Sequence, residues 1–74
     1  MSRLPMVTPK QLVAALRRAG FEERHQTGSH LTLVHPQSKR RTVIPIHARD
    51  VKRSLLMKIL KQAGLSEARF REVL

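Results

Sequence analysis

Histidine is the residue type in this chain best suited to acid–base chemistry, and the chain has four: His25, His30, His35 and His47. Histidine as a residue type has an unperturbed pKa of about 6.5, so both of its protonation states are populated near neutrality. Two imidazoles on one accessible surface suit metal-free cleavage of an RNA phosphodiester. One accepts the proton of the ribose 2′-hydroxyl, and the other protonates the leaving 5′-oxygen. Which histidines share a surface depends on the elements that carry them.

Other catalytic chemistries find little support in the sequence. The chain has no cysteine, which excludes a thiolate zinc site, a cysteine nucleophile and a disulfide scaffold. Ser29 lies beside His30, but this pair is too local to form a catalytic triad by itself. We expect no metal and no small-molecule cofactor, because the five carboxylates are scattered as Glu22, Glu23, Asp50, Glu67 and Glu72.

The charge of the chain is strongly one-sided. Fifteen Lys and Arg residues face five Asp and Glu residues in 74 positions, which gives a formal net charge of +10. One small core cannot hide that many basic side chains, so most of the surface is positive. Nucleic acid is the commonest polyanion that fits such a surface, followed by an acidic protein and then an anionic membrane.

Length and hydropathy limit the organisation of the chain. We expect one domain over residues 1–74, with residues 1–7 as a flexible tail. The N-terminal segment lacks the apolar stretch of a signal peptide, and no apolar run approaches the roughly 18 residues of a membrane span. A soluble, cytoplasmic protein with no membrane contact is the expectation.

A helix is predicted over residues 9–19. Thr8 has the position of an N-cap, Pro9 that of the first helical residue, and Gln11 that of a capping-box partner. Leu12 and Leu16 belong to a buried stripe at helical spacing. The helix is expected to end at a left-handed cap supplied by residue 20, a glycine.

Three strands follow in the predicted order. Residues 21–26, 29–35 and 41–47 alternate as strands do, with polar turns at residues 27–28 and 36–40. Leu31 and Leu33 share one face of the second strand, and Ile44 and Ile46 share one face of the third. Pro45 lacks an N–H group, which places the third strand at an edge of the sheet or turns its N–H side to solvent.

A second helical pattern closes the chain. Apolar residues recur at helical spacing from Val51 to Ala63, with Gly64 as the cap and Asp50 or Ser54 as a possible N-cap. Ser66 begins a short last helix. The predicted fold is α+β, in the order α-β-β-β-α, with both helices on one face of an antiparallel sheet and the other face open.

The open face is where the sequence places candidate functional residues. If Leu31 and Leu33 face the core, His30 faces away from it, because side chains alternate along a strand. Several registers bring the apolar faces together. One pairs Leu31 with Ile46 and places His30 opposite His47, whereas a register shifted by two residues leaves the two histidines on a diagonal of about 7–8 Å. His25 and His35 are weaker candidates.

Basic residues near the turns and the second helix suit contacts to RNA phosphates. They gather at a hairpin tip and around a helix start, where a folded or double-stranded RNA could be held. Phe21 and Phe70 are the only aromatic residues and are expected in the core, so base stacking on an aromatic platform is not predicted. The candidate RNA-binding residues are Lys39, Arg40, Arg41, Arg49, Lys52 and Arg53.

In five segments the chain resembles the HicA toxin family, also called YcfA-like, of small RNA-cleaving toxins. Each segment alone is weak, but all five in order over so short a chain are specific. They are Arg18-Ala19-Gly20-Phe21, Gly28-Ser29-His30, His35-Pro36, Val43-Ile44-Pro45-Ile46-His47 and residues 59–65.

The resemblance implies a fold like that of double-stranded-RNA-binding domains, metal-independent mRNA cleavage that arrests growth, and neutralisation by a HicB-type antitoxin. It also implies that the histidine of the Gly-Ser-His motif, here His30, is catalytic. Strand pairing adds His47 as the acid–base partner of His30, and Ser29 is a further residue that we expect to assist. Two alternatives stay open: a non-catalytic double-stranded-RNA-binding module, and a basic interaction protein that docks an acidic partner.

Overall fold

The computed structural model describes residues 4–74, which form a three-stranded antiparallel sheet and the helices that pack on it. The sheet order is β1-β2-β3, so β3 is an edge strand, as its proline predicts. The predicted α+β fold with its double-stranded-RNA-binding-like order is confirmed, and a short third helix follows. The elements are α1 (Pro9–Arg18), β1 (Glu22–Thr27), β2 (His30–Val34), β3 (Arg41–Pro45), α2 (Arg53–Ala63) and α3 (Glu67–Val73).

The ends of α1 are formed as the sequence predicts. The Thr8 side chain accepts a hydrogen bond from the Gln11 N–H at 3.1 Å, and the Gln11 side chain accepts one from the Thr8 N–H at 2.9 Å. This capping box satisfies two N–H groups that would otherwise lack partners. At the other end the chain leaves the helix through Gly20, whose φ of 104° favours glycine.

The start of α2 differs from the prediction. Neither Asp50 nor Ser54 is the N-cap; Lys52 holds that position, and no side chain caps the helix. The cause is a backbone bond from the Val51 N–H to the Val7 carbonyl at 2.8 Å, which keeps the chain extended through Val51. Ser54 therefore lies inside the first turn of α2, two residues beyond the N-cap position.

One hydrophobic core lies between the helices and a single face of the sheet. Leu33 and Ile44 are fully buried there, and both predicted aromatic core residues, Phe21 and Phe70, are buried as well. Thr42 is buried on the same face, and its hydroxyl donates a hydrogen bond to Gln62 Oε1 at 2.8 Å. That bond satisfies a polar group which would be costly to bury alone.

The segment that precedes α1 belongs partly to this core. Residues 1–3 lie outside the described residues, but Leu4 and Val7 are 3% and 2% exposed. Arg53 donates a hydrogen bond to the Leu4 carbonyl at 3.2 Å, and Val7 forms a bridge with Val51. The expectation of a tail is therefore wrong for residues 4–7, because the side chains of Leu4 and Val7 are buried in the hydrophobic core.

Removing the Leu4 side chain tests this packing. We expect Leu4→Ala to lower the free energy of unfolding by about 2–5 kcal/mol, the usual cost of truncating a buried leucine. The matched control is Met6→Ala: Met6 is 65% exposed, so its truncation should change stability by no more than about 0.5 kcal/mol. Urea denaturation followed by circular dichroism measures both variants. If Leu4→Ala changed the free energy of unfolding as little as Met6→Ala, residues 4–7 would be a tail after all.

Candidate functional site

The register of β2 and β3 differs by two residues from the one that placed the two histidines opposite each other. His30 pairs with Pro45, Leu31 with Ile44, and Leu33 with Thr42. The register that placed His30 opposite His47 is therefore wrong, and the strands adopt the alternative register that is shifted by two residues. The reason is the hairpin loop. The His35 N–H donates a hydrogen bond to the Arg40 carbonyl, so the loop between the strands comprises residues 36–39.

A tight turn places His30 at the first position of β2. Thr27 and His30 face each other as a pair, so Gly28 and Ser29 form a two-residue turn. Gly28 has a φ of 57°, a left-handed value that favours glycine and suits the first central position of such a turn. The Gly-Ser-His sequence thus has a local structural role: its glycine permits the turn that presents the His30 side chain.

The same turn is joined to the chain segment that carries His47. The Ser29 carbonyl accepts a hydrogen bond from the Ile46 N–H at 2.7 Å, so the two segments meet at one end of the sheet. His47 follows in the turn after β3 and is exposed. The structure therefore brings Ser29, His30 and the His47 backbone to one end of the sheet, with His47 outside the strand.

The face opposite the core is open, as predicted. His30 is exposed, and its neighbours on the same face of β2, Thr32 and Val34, are half-buried. His25 pairs with Thr32, so it shares this face, and its Nε2 atom lies 2.7 Å from Thr27 Oγ1. Because Thr27 is directly opposite His30, His25 is a diagonal neighbour of His30 across the β1–β2 pair.

A groove of about 360 Å³ runs along β3 and reaches His30. The open face supplies one wall, and the exposed side of α2 supplies the other. Sequence reasoning missed the α2 residues of this wall, although their spacing of three and four residues marks one helix face. The residues that line the groove are His30, Arg41, Thr42, Val43, Pro45, Leu55, Lys58, Ile59 and Gln62.

The candidate RNA-binding cations are not neutralised by carboxylates. Within residues 4–74, four ion pairs engage Glu22, Glu23, Glu67 and Glu72. Their cationic partners are Arg24, Arg17, Arg71 and Arg69, and all of these lie outside the candidate set. These four carboxylates thus cancel charge away from the candidate residues, whereas Asp50 lies between Arg49 and Lys52.

These cations occupy different parts of the surface. Lys39 and Arg40 lie in the β2–β3 loop, and Arg41 begins β3 at the end of that strand remote from His30. Arg41 and Pro45 are four residues apart, which is about 13 Å along the strand. The exposed Arg49 and Lys52 lie between β3 and α2. Arg53 differs from the others, because its guanidinium already binds the Leu4 carbonyl.

His35 shapes the loop that carries Lys39 and Arg40. Its Nδ1 atom accepts hydrogen bonds from the backbone N–H groups of Gln37 at 3.3 Å and Ser38 at 3.2 Å. The ring also meets the edge of Phe21, with centroids 5.3 Å apart. His35 therefore stabilises the hairpin loop, and it is directed away from the open face.

Substitution of His35 tests this role. In His35→Leu the Gln37 and Ser38 N–H groups lose their acceptor, and we expect their hydrogen exchange to accelerate by about 2- to 12-fold, from a net 0.5–1.5 kcal/mol per bond. NMR-detected exchange measures this, with the Leu33 amide as internal reference for global unfolding. His47→Leu is the matched control and should leave both loop amides unchanged. Equal acceleration of the loop and of Leu33 would show global destabilisation instead of loop release.

Across residues 4–74, no three His, Asp or Glu side chains come together as ligands for a metal ion. In the same part of the chain, no helix has the length and apolar character to cross a bilayer.

Comparison with known proteins gives the family. A search of curated proteins found no match. The profile described as HicA toxin of bacterial toxin-antitoxin matches residues 9–65, from the first residue of α1 to just beyond the end of α2. This match covers more than half of the chain, including the sheet, the Gly-Ser-His turn and the groove. The chain belongs to the HicA toxin family of bacterial toxin–antitoxin systems.

Proposed function

We propose that this toxin is an endoribonuclease that binds mRNA across the open sheet face, cleaves it without a metal ion and so inhibits translation and growth. A HicB-type antitoxin neutralises it. The observation that carries the proposal is the position of His30: exposed, at the end of the open face, and bordering a groove whose cations have no carboxylate partner. Family membership supports the toxin role and the existence of a cognate antitoxin.

The proposed reaction is an internal transfer at phosphorus. His30, in its neutral form, accepts the proton of the ribose 2′-hydroxyl while the 2′-oxygen forms a bond to the adjacent phosphorus. The bond from phosphorus to the 5′-oxygen breaks, and that oxygen takes a proton from a second acid. The products are a 2′,3′-cyclic phosphate and a 5′-hydroxyl. A nearby cation stabilises the extra negative charge that develops on the phosphate oxygens.

Two histidines are placed to supply the second proton. His47 follows β3 at the same end of the sheet as His30, and we propose it as the partner. His25 is the competing candidate, since it shares the open face and contacts the threonine opposite His30. Ser29 adjoins His30 in the turn, and its proposed contribution is to assist in holding the substrate.

RNA binding is proposed to depend on the six candidate cations, none of which forms an ion pair with a carboxylate within residues 4–74. Lys39, Arg40 and Arg41 lie at one end of the β2–β3 hairpin, and Arg49, Lys52 and Arg53 lie beyond its other end. A backbone that follows the open face from the loop towards His30 would meet positive charge at both ends. Lys58 in the groove wall adds a further cation beside that path.

Loss of the His30 imidazole tests the catalytic proposal. We expect His30→Ala to abolish RNA cleavage and growth arrest on induced expression, because the general base is gone, while the fold is retained at an exposed position. Cleavage by the unsubstituted toxin should persist in EDTA. Undiminished cleavage by His30→Ala would remove His30 from the site, and cleavage abolished by the chelator would contradict the metal-free mechanism.

The same cleavage assay assigns the second proton donor. His47→Ala should lower the cleavage rate by about 10²- to 10⁴-fold, the usual contribution of a general acid or base. His25→Ala is the matched comparison, with an identical substitution at the other histidine near His30. A large loss in His25→Ala together with a small one in His47→Ala would transfer the role to His25.

The salt dependence of binding tests the proposed phosphate contacts. A double variant of Lys39→Ala and Arg41→Ala should bind a 2′-O-methyl RNA more weakly and with a shallower salt slope, by about 0.7–0.9 for each lost contact. The matched control combines Arg24→Ala and Arg69→Ala, which removes the same charge from residues paired with carboxylates. Equal slopes for the two double variants would mean that net charge alone attracts RNA. Fluorescence anisotropy at several salt concentrations gives the slopes.

The runner-up function is a non-catalytic RNA-binding module. The order of elements, which is that of double-stranded-RNA-binding domains, favours it. This function predicts that His30→Ala leaves RNA binding and cell growth untouched, and that no cyclic-phosphate product forms.

A further inference from the structure

The edge strand β3 has unpaired backbone groups that alternate in a regular way. The Ile46 N–H binds the Ser29 carbonyl, so in this antiparallel ladder Ile44 and Thr42 also direct their backbone groups towards β2. The intervening residues, Arg41 and Val43, therefore direct their N–H and C=O groups away from the sheet. The Pro45 carbonyl also points away from the sheet. Pro45 has no N–H group, so this edge has one outward donor fewer.

The opposite edge of the sheet is protected, whereas the β3 edge is not. In β1 the pairing slips between Glu23 and His25, so Arg24 is an extra residue that breaks the ladder. Such bulges are a common means of preventing strand pairing at an edge. No irregularity interrupts the β2–β3 ladder between Val34 and Pro45. The β1 edge also carries two carboxylates, Glu22 and Glu23.

The groove beside β3 has room and chemistry for an added strand. It has a volume of about 360 Å³, and its lining includes Arg41 and Lys58 but no carboxylate. Val43, on the open face, is 40% exposed, which is high for a valine in a sheet. Leu55 and Ile59 supply apolar surface on the α2 side. Strand addition requires an exposed, regular edge whose backbone groups can pair, and neighbouring side chains determine which partner is accepted. Here those side chains are apolar on α2 and basic at Arg41 and Lys58.

We propose that β3 is a docking edge for an extended, net-acidic polypeptide segment, which adds to the sheet as a fourth strand. The outward backbone groups of Arg41 and Val43 pair with the added strand, and Arg41 selects carboxylate side chains on the open face. Lys58 adds positive charge on the α2 side. The inference depends on the proposed function only for the source of the segment, which a cognate antitoxin would supply.

The chemistry of the edge favours a polypeptide over the other occupants. A row of alternating N–H and C=O groups matches another strand, whereas a nucleic acid offers no such alternating backbone. A second copy of this chain would bring another net charge of +10 to the same edge. An acidic segment satisfies both the backbone ladder and the basic side chains beside it.

Strand addition also predicts a side-chain pattern for the partner. Successive side chains of an added strand alternate between the two faces of the sheet. One set would lie beside Arg41 and Val43 on the open face, and the other beside Leu55 and Ile59 on the α2 side. Carboxylates in the first set and apolar residues in the second would complement this edge.

A synthetic peptide tests the proposal on the full-length chain without any RNA cleavage, so it can fail or succeed independently of the nuclease function. The probe is a six-residue peptide of alternating glutamate and valine with blocked ends. NMR should show that it slows hydrogen exchange of the Arg41 and Val43 amides by at least about tenfold. Two N-methylated forms, one methylated on the glutamates and one on the valines, should differ, because only one set of N–H groups faces β3.

Charge variants complete the test. Arg41→Glu should weaken peptide binding by at least about tenfold, and the matched control Arg24→Glu, on the opposite edge, should leave it within about twofold. The proposal is overturned if both N-methylated peptides bind as well as the parent, or if the two amides exchange as in the free chain. Protection of these amides by a 2′-O-methyl RNA and not by the peptide, or by self-association of the free chain, also overturns it.

Discussion

One-sided burial is the constraint on which the rest of this structure depends. All the helices of residues 4–74 contribute to a single core, and Leu33 and Ile44 are fully buried at its contact with the sheet. Within residues 4–74, no further helix or strand covers the second face of the sheet. The open face and the exposed β3 edge therefore result from the packing of the helices on a single face of the sheet. On a chain with a net charge of +10, that accessible surface lies in a positive field.

Backbone geometry, more than side-chain contacts, determines where His30 lies. A left-handed glycine permits the two-residue turn before β2, and the Ser29 carbonyl ties that turn to Ile46. Gly20 acts similarly at the end of α1: a Cβ there would come within 2.7 Å of the His35 ring. The His35 ring in turn holds the loop of Lys39 and Arg40. The Gly28 turn thus holds His30 at one end of the sheet, and His35 holds the loop of Lys39 and Arg40 at the other end.

The sequence predicts most elements because their signals are local. Thr8, Gln11 and Ser66 cap helices through side chains within three residues of their partners, and such short-range chemistry is visible in the sequence. The strand register was not predictable in the same way, since Ile44 and Ile46 offer two apolar alignments, and the closure of the hairpin loop between His35 and Arg40 selects one of them. The packing of Leu4 and Val7 and the groove wall from α2 depend on contacts distant in sequence. Those contacts exist only once the core has formed.

The central claim is that RNA binds across the open sheet face and not along α1, and NMR mapping with a non-cleavable 2′-O-methyl RNA tests it most directly. The account predicts that chemical-shift changes centre on His30, Thr32, Val34 and Val43, with the largest change in the His30 imidazole signals. Changes confined to Lys10, Arg17 and other exposed residues of the helical side, with His30 unaffected, would contradict it.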